Sequence, residues 1–203
     1  MRRTQKERRE ATTAKLFDAA IATIAEVGYA RTSANAIAGR AGMSSGALFR
    51  HFPTMATFLA AVAREAFERQ SANFVERFEA HADVSHRTAL ERALTAWREI
   101  TNLPEHCVSL ELTMAARTDE VLRDRMLETM RDVGPVMFDI TKRTVGEDLV
   151  LSDLDFGTLV FMVGDLFDAE TLQHPLREPY PIISERRIPL LLEMLERYRA
   201  SDD

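Results

Sequence analysis

The stretch GRAGMSSGALFRHF, residues Gly39 to Phe52, gathers glycines, paired serines and a cationic-aromatic tail inside a chain otherwise made of long amphipathic runs. Gly42 ends a short apolar run, Ile37, Ala38 and Ala41, because a residue without Cβ takes a left-handed turn at little cost. Two positions on, Ser44 offers a hydroxyl to free backbone N–H groups and opens a second short helix with Leu48 and Phe52 at i, i+4. Thr32 and Ser33 offer the same capping oxygen ahead of the first helix. Pro53 closes the second, and Thr54 caps a longer helix through Phe58, Val62, Phe67 and Phe74. A short helix, a glycine turn and a short helix make a helix-turn-helix, whose second member enters the DNA major groove with its N-terminal residues at the base edges. Small residues at Ser44, Ser45 and Gly46 keep that backbone close to the groove. An αα-hairpin inside a bundle would hold small residues for another reason, close helix approach. The outward Arg50 and His51 favour DNA.

Upstream, Leu16, Ala20, Ile24 and Val27 step by three or four, with Phe17 and Ile21 beside them, which predicts a first helix over about Ala11 to Val27 closed by Gly28. The charges are uneven along the chain. Residues 1–52 carry nine Arg and Lys against four Asp and Glu; the rest carry 17 against 28, within a net charge of −6. A basic end for a polyanion and an acidic body for another task follow from that asymmetry, the alternative being a solvated basic terminus. The basic arm spans residues 1–10 and holds Arg2, Arg3, Lys6, Arg8 and Arg9.

The stretch FDAAIATIAEVGYARTSANAIAGRAGMSSGALFRHFPTMATFLAAV resembles the N-terminal domain of TetR-type (TetR/AcrR) transcriptional regulators. The match is carried by Gly28-Tyr29, Ser33, Ile37-Ala38, Ala41-Gly42, Ser44, Gly46-Ala47-Leu48 and His51-Phe52-Pro53. The resemblance implies an all-α fold: a three-helix DNA-binding head over residues 1–53 and a larger helical effector-binding and dimerisation domain over 54–203. It implies a homodimer that reads successive major grooves of a near-palindromic double-stranded operator and, as a repressor, is released by a small molecule. Ser33, Ser44, Ser45, Gly46, Phe49, Arg50, His51 and Thr54 are then the DNA-facing residues, together with the arm. The chain departs from the pattern in three places. Phe49 stands where such proteins usually have a tyrosine whose hydroxyl reaches a phosphate, so a contact is lost or is replaced by an apolar one, for instance with a thymine methyl. Ser45 and Met55 stand where lysines are common. The arm would compensate, since sequence-independent affinity follows the number of phosphates neutralised.

The remainder reads as further helices. Ser85 is placed to cap one with Leu90, Leu94 and Trp97; Pro104 opens another through Val108, Leu112 and Ala115. A long helix from about Asp119 follows with Leu122, Met126, Met130, Val133 and Met137 on one side, and Gly134-Pro135 predicts a kink in it, which either opens a pocket or lets the helix wrap the core. Phe156, Val160, Val163 and Phe167 step by 4, 3 and 4, while Leu191, Leu195 and Tyr198 share a line on the last helix. Paired across a two-fold axis these would make a four-helix dimer seam, with Gly157 and Gly164 allowing close approach; burial inside one bundle is the alternative. Aromatic and methionine side chains at Trp97, Met114, Met137, Phe138 and Phe161 are candidate walls for an apolar or amphipathic effector. Glu111 and Asp165, charges in apolar surroundings, either face water, pair, or join that lining.

Enzymatic signatures are missing: no Gly-rich phosphate loop, no His-Glu-x-x-His and no nucleophile elbow, so neither catalysis nor a cofactor is expected. His106 and Cys107 are neighbours that point about 100° apart on a helix, which argues against a shared metal. With 203 residues, one cysteine, no secretory leader and no apolar run of membrane-spanning length, the chain is expected in the reducing cytoplasm, away from membranes.

Overall fold

Thr4 opens the first helix well ahead of its hydrophobic stripe. In the computed structural model, which describes residues 4–82, 88–145, 149, 151–177 and 180–201, Thr4 Oγ1 accepts the Glu7 N–H at 3.2 Å and Glu7 Oε2 accepts the Thr4 N–H at 2.7 Å. This reciprocal box satisfies two donors that a helix start leaves orphaned. Helix α1 therefore runs Gln5–Val27, not from Ala11, and the supposed arm is helical at Lys6, Arg8 and Arg9. Arg2 and Arg3 lie outside the described residues.

A single 3-10 turn, Tyr29–Arg31, leads to α2 (Ala34–Arg40) and α3 (Ser45–His51), with Ser33 and Ser44 as the expected caps. Thr54 Oγ1 accepts the Thr57 N–H at 3.1 Å at the head of α4, Met55–Ala80. Helix α5 (Ala89–Ile100) is capped by Thr88; the expected cap, Ser85, lies outside the described residues. Pro104 takes the first position of α6, Pro104–Ala116, where its missing N–H is not needed. Helix α7 (Glu120–Val145), started by Asp119, which accepts the Leu122 N–H at 2.9 Å, continues as one helix across Gly134-Pro135. Helices α8 (Asp153–Arg177) and α9 (Pro181–Ser201) follow.

At Gly28 the backbone conformation itself demands glycine. Its φ of 79° with ψ of 162° is a region that essentially only glycine enters, and a Cβ there would sit 3.5 Å from Glu111 Oε2. We expect Gly28→Ala to destabilise the chain by about 1–3 kcal/mol, read as a lower urea midpoint at unchanged slope. An unaltered midpoint would mean that the turn relaxes into an ordinary conformation.

Packing divides the chain into two compact units, Met1–Ser71 with Leu103–Met137, and Ala72–Asn102 with Phe138–Asp203. The division runs through α4 and α7, so the head shares its unit with α6 and with part of each long helix. In this first unit Leu16 and Ile24 of α1, Ile37 of α2, Leu48 of α3, Phe58 of α4, Leu112 of α6 and Leu122 of α7 are fully buried together, each side chain stabilising by roughly 1.5–3 kcal/mol. The rings of Phe17, Phe52 and Phe58 lie 5.1–6.2 Å apart and tie the end of α3 to α1 and α4. In the second unit Leu94 of α5, Val163 and Phe167 of α8 and Ile188 of α9 form the buried cluster. Glu170 on α8 joins Arg98 of α5 at 2.9 Å and Arg187 of α9 at 3.0 Å, an ion triad across three helices.

Candidate functional site

The helix-turn-helix is closed by backbone bonds from Gly42 N–H to Gly39 O at 3.0 Å and from Met43 N–H to Ala38 O at 2.8 Å. Gly42 sits at φ 69°, and a Cβ there would touch nothing within 4 Å, so conformation rather than space calls for glycine. On α3, Leu48 points into the core while Gly46, Phe49 and Arg50 are exposed and Ser45 is half-buried. A Cβ on Gly46 would meet only Ser44 Oγ at 3.8 Å; nothing among the described residues requires this residue to be small. Arginine commitments separate the candidates. Arg40 is held by Glu26 and by Thr23 Oγ1, and Arg31 Nε donates to the Val27 carbonyl at 2.8 Å. Arg50 has no hydrogen bond or ion pair among the described residues. Ser33, Ser44 and Thr54 each accept a backbone N–H as caps; this leaves the hydroxyl hydrogens of Ser33 and Ser44 able to donate, whereas the Thr54 hydroxyl also bonds Thr57 Oγ1 at 3.1 Å. His51 is half-buried in the last turn of α3. Lys6, Arg8 and Arg9 are exposed on the first turns of α1, where Lys6 is loosely paired with Glu10 at 3.9 Å.

The second unit holds a small, partly open apolar cavity of about 30 Å³, with walls from Phe74, Leu90, Leu94, Trp97, Thr141, Val145, Phe156, Leu159, Val160, Val163, Leu191 and Leu195. Of the expected effector-lining residues only Trp97 is among them. Phe161 is 76 % exposed and Asp165 also faces outward. Phe138 stacks edge-on against Phe156 at 5.4 Å. Glu111, Met114 and Met137 belong to the first unit: Glu111 accepts the Tyr29 N–H at 2.8 Å, Met114 is exposed, and the Met137 sulfur contacts Ser71. Much of the expected seam is covered by the chain itself. Phe156, Val163 and Phe167 are 1–5 % exposed in the single chain, and Val160, Leu191 and Leu195 line the cavity. Gly157 makes room for Phe138 and Gly164 for Trp97, whose ring atoms would lie 3.4 Å from an added Cβ in each case. Tyr198, of the expected seam, is exposed, together with Leu154, Phe161, Met162, Leu172 and Leu176 on α8 and Ile182, Ile183, Leu190 and Met194 on α9. Helix α8 is apolar on both sides, so periodicity groups its residues correctly into faces without telling which face meets the chain's own core.

A family model described as "Bacterial regulatory proteins, tetR family" matches residues 16–62. An uncharacterised HTH-type transcriptional regulator of Mycobacterium tuberculosis is 41% identical over 196 residues, covering 96% of this chain and 98% of that protein. The chain belongs to the TetR family. Among solved structures, a TetR-family transcriptional regulator from Rhodococcus sp. superposes with a TM-score of 0.67 at 21% identity, over 91% of this chain and 97% of that one. GusR of Salmonella enterica gives 0.65 at 15% identity, over 92% and 96%. These two likenesses concern the fold.

As a TetR-family member the protein is a DNA-binding transcriptional regulator. His106 is buried, with Nδ1 3.4 Å from Gln70 Oε1, and burial pushes its pKa down to about 4, so the ring is neutral near pH 7. Burial raises the neighbouring Cys107 thiol. Burial and the nearby Asp165 carboxylate lift Asp168 to about 6. Arg69 joins Asp18 of α1 at 2.7 Å to Glu65 on its own helix at 2.8 Å. Among the described residues of this TetR-family chain, no three His, Cys, Asp or Glu side chains are grouped to hold a metal ion, and no helix is long and apolar enough to cross a membrane. The Glu111 contact to the turn after α1 was not legible in sequence, because its partner is a backbone N–H 82 positions away.

Proposed function

We propose that the chain acts as a homodimeric repressor whose two α3 helices enter successive major grooves of a near-palindromic operator, and that a small apolar molecule in the second unit weakens this grip. The observation that carries the DNA-reading half is Arg50: exposed on α3 and uncommitted among the described residues, it stands beside the small residues Ser45 and Gly46. A guanidinium fork matches the O6 and N7 acceptors of guanine. Ser33, Ser44, Thr54 and the α1 cations Lys6, Arg8 and Arg9 suit phosphates, which fix register without reading sequence. The exposed stripes of α8 and α9 supply a seam for a second copy, since apolar faces of that extent on a soluble protein mark interaction surfaces.

Selection of bound duplexes from a random pool tests the reading directly. An enriched near-palindrome with half-sites about one helical turn, or a small multiple, apart is expected. On that duplex Arg50→Ala should cost about 1–3 kcal/mol and relax preference at one position of each half-site. A uniform loss across all sequences with a shallower salt dependence would assign Arg50 to a phosphate instead.

The narrowness of the cavity favours one competing reading, a DNA-binding dimer governed by its abundance or by a protein partner. Space of about 30 Å³ holds little more than a water molecule, so an effector has to widen it. A thermal-shift screen of apolar compounds separates the two, because any ligand that binds the folded chain raises its melting temperature.

A further inference from the structure

We propose that Phe49 reads the 5-methyl group of a thymine, giving a preference for a T·A pair at one position of each half-site. This rests on α3 entering the major groove.

Among the described residues of α1 to α4, Phe49 is the one large apolar side chain left exposed, at 43 %. Every other aromatic ring near it has a place inside. Phe17, Phe52 and Phe58 pack on one another at 5.1–6.2 Å, and this cluster, with the fully buried Leu48, holds α3 in a single orientation. Phe49 takes no part in it. Three and four residues before it stand Gly46 and Ser45, the neighbours that would lie over its ring on a helix surface. Neither has a side chain long enough to cover it, and the space beside Gly46 is open. The next residue, Arg50, is exposed and uncommitted about 100° round the helix, so a bare phenyl ring and a free guanidinium both emerge from one short helix.

The chemistry of the ring then selects its target. A phenyl group has no donor or acceptor, so it bonds neither a phosphate nor the polar edge of a base. In the major groove the one apolar feature that distinguishes a base pair is the C5-methyl of thymine, which the cytosine of a C·G pair lacks. Bringing ring and methyl together removes apolar surface from water on both sides. Phe49 thus supplies sequence information where a hydroxyl-bearing ring would supply a phosphate contact.

The test uses the full chain and the duplex returned by selection from a random pool, with each thymine replaced in turn by deoxyuridine, which removes only the methyl. Parent protein should lose about fourfold in affinity at one thymine of each half-site, the factor matching roughly one apolar carbon removed from contact. Phe49→Ala, with an unchanged thermal midpoint, should bind the parent duplex more weakly and be indifferent to that replacement. Phe49→Leu keeps an apolar side chain without a hydroxyl and should keep part of the discrimination. A parent protein indifferent to the methyl at every thymine overturns the proposal, as does an equal deoxyuridine loss in Phe49→Ala. A pool from which no sequence is enriched overturns the DNA-reading assignment itself, which distinguishes the two failures.

Discussion

With the exposed face of α8 as the proposed dimer seam, Phe161→Glu should leave a folded but monomeric chain, whereas Val163→Glu, two residues away on the same helix, should prevent folding. The two positions point about 200° apart on α8. Phe161 is 76 % exposed in the single chain and Val163 is 5 % exposed, so a carboxylate meets water at the first and the buried cluster of Leu94, Phe167 and Ile188 at the second. An unpaired charge in such a cluster exceeds the roughly 4–5 kcal/mol that marks the exceptional end of single substitutions. In a dimer, Phe161→Glu would set two like charges into an apolar seam about a two-fold axis. Losing the second head then removes the linkage between half-sites, and operator affinity should fall by about 100-fold or more. Light scattering reads the mass, circular dichroism the helix content and duplex titration the affinity. A Phe161→Glu chain that remains dimeric would move the seam off this face of α8.

Phe156→Ala is expected to destabilise the second unit by about 3–5 kcal/mol. Phe156 is 2 % exposed, forms part of the cavity wall and packs edge-on against Phe138 at 5.4 Å. Removing its ring joins a phenyl-sized space to the existing cavity, and walls made almost wholly of hydrocarbon keep such a space dry. Small aromatic molecules should therefore bind the variant and recover part of the lost stability, in proportion to the logarithm of their concentration. Trp97, the sole tryptophan, is another wall residue and reports the occupancy by fluorescence. A loss under about 1 kcal/mol would mean that the surrounding helices collapse onto the gap. No recovery with benzene-sized compounds would mean that the enlarged space does not persist.

Most of the head was legible in the sequence. The caps at Ser33, Ser44 and Thr54, the left-handed Gly42 and the buried Leu48 all follow from chemistry confined to a few neighbouring residues. Helix α1 was misjudged at its start because the reading followed apolar spacing, while the helix begins on the Thr4–Glu7 box; that signal was local too. The commitments of Arg40 to Glu26 and Thr23, which single out Arg50, lay beyond reach, since those partners stand on another helix.

The body shows where local information ends. Periodicity placed Phe156, Val163 and Phe167 on one face of α8, and the sequence by itself determined helix content, the order of elements, the caps at Ser33, Ser44 and Thr54, and the family. It could not say which apolar face is inside, because both faces of α8 satisfy the same 3.6-residue rule and burial depends on what α5 and α9 bring alongside from elsewhere in the chain. Leu94, Ile188 and the Glu170 triad with Arg98 and Arg187 decided that: they cover the Val163 side and leave Phe161 in water, which exchanges the residues of the cavity wall with those of the outer surface.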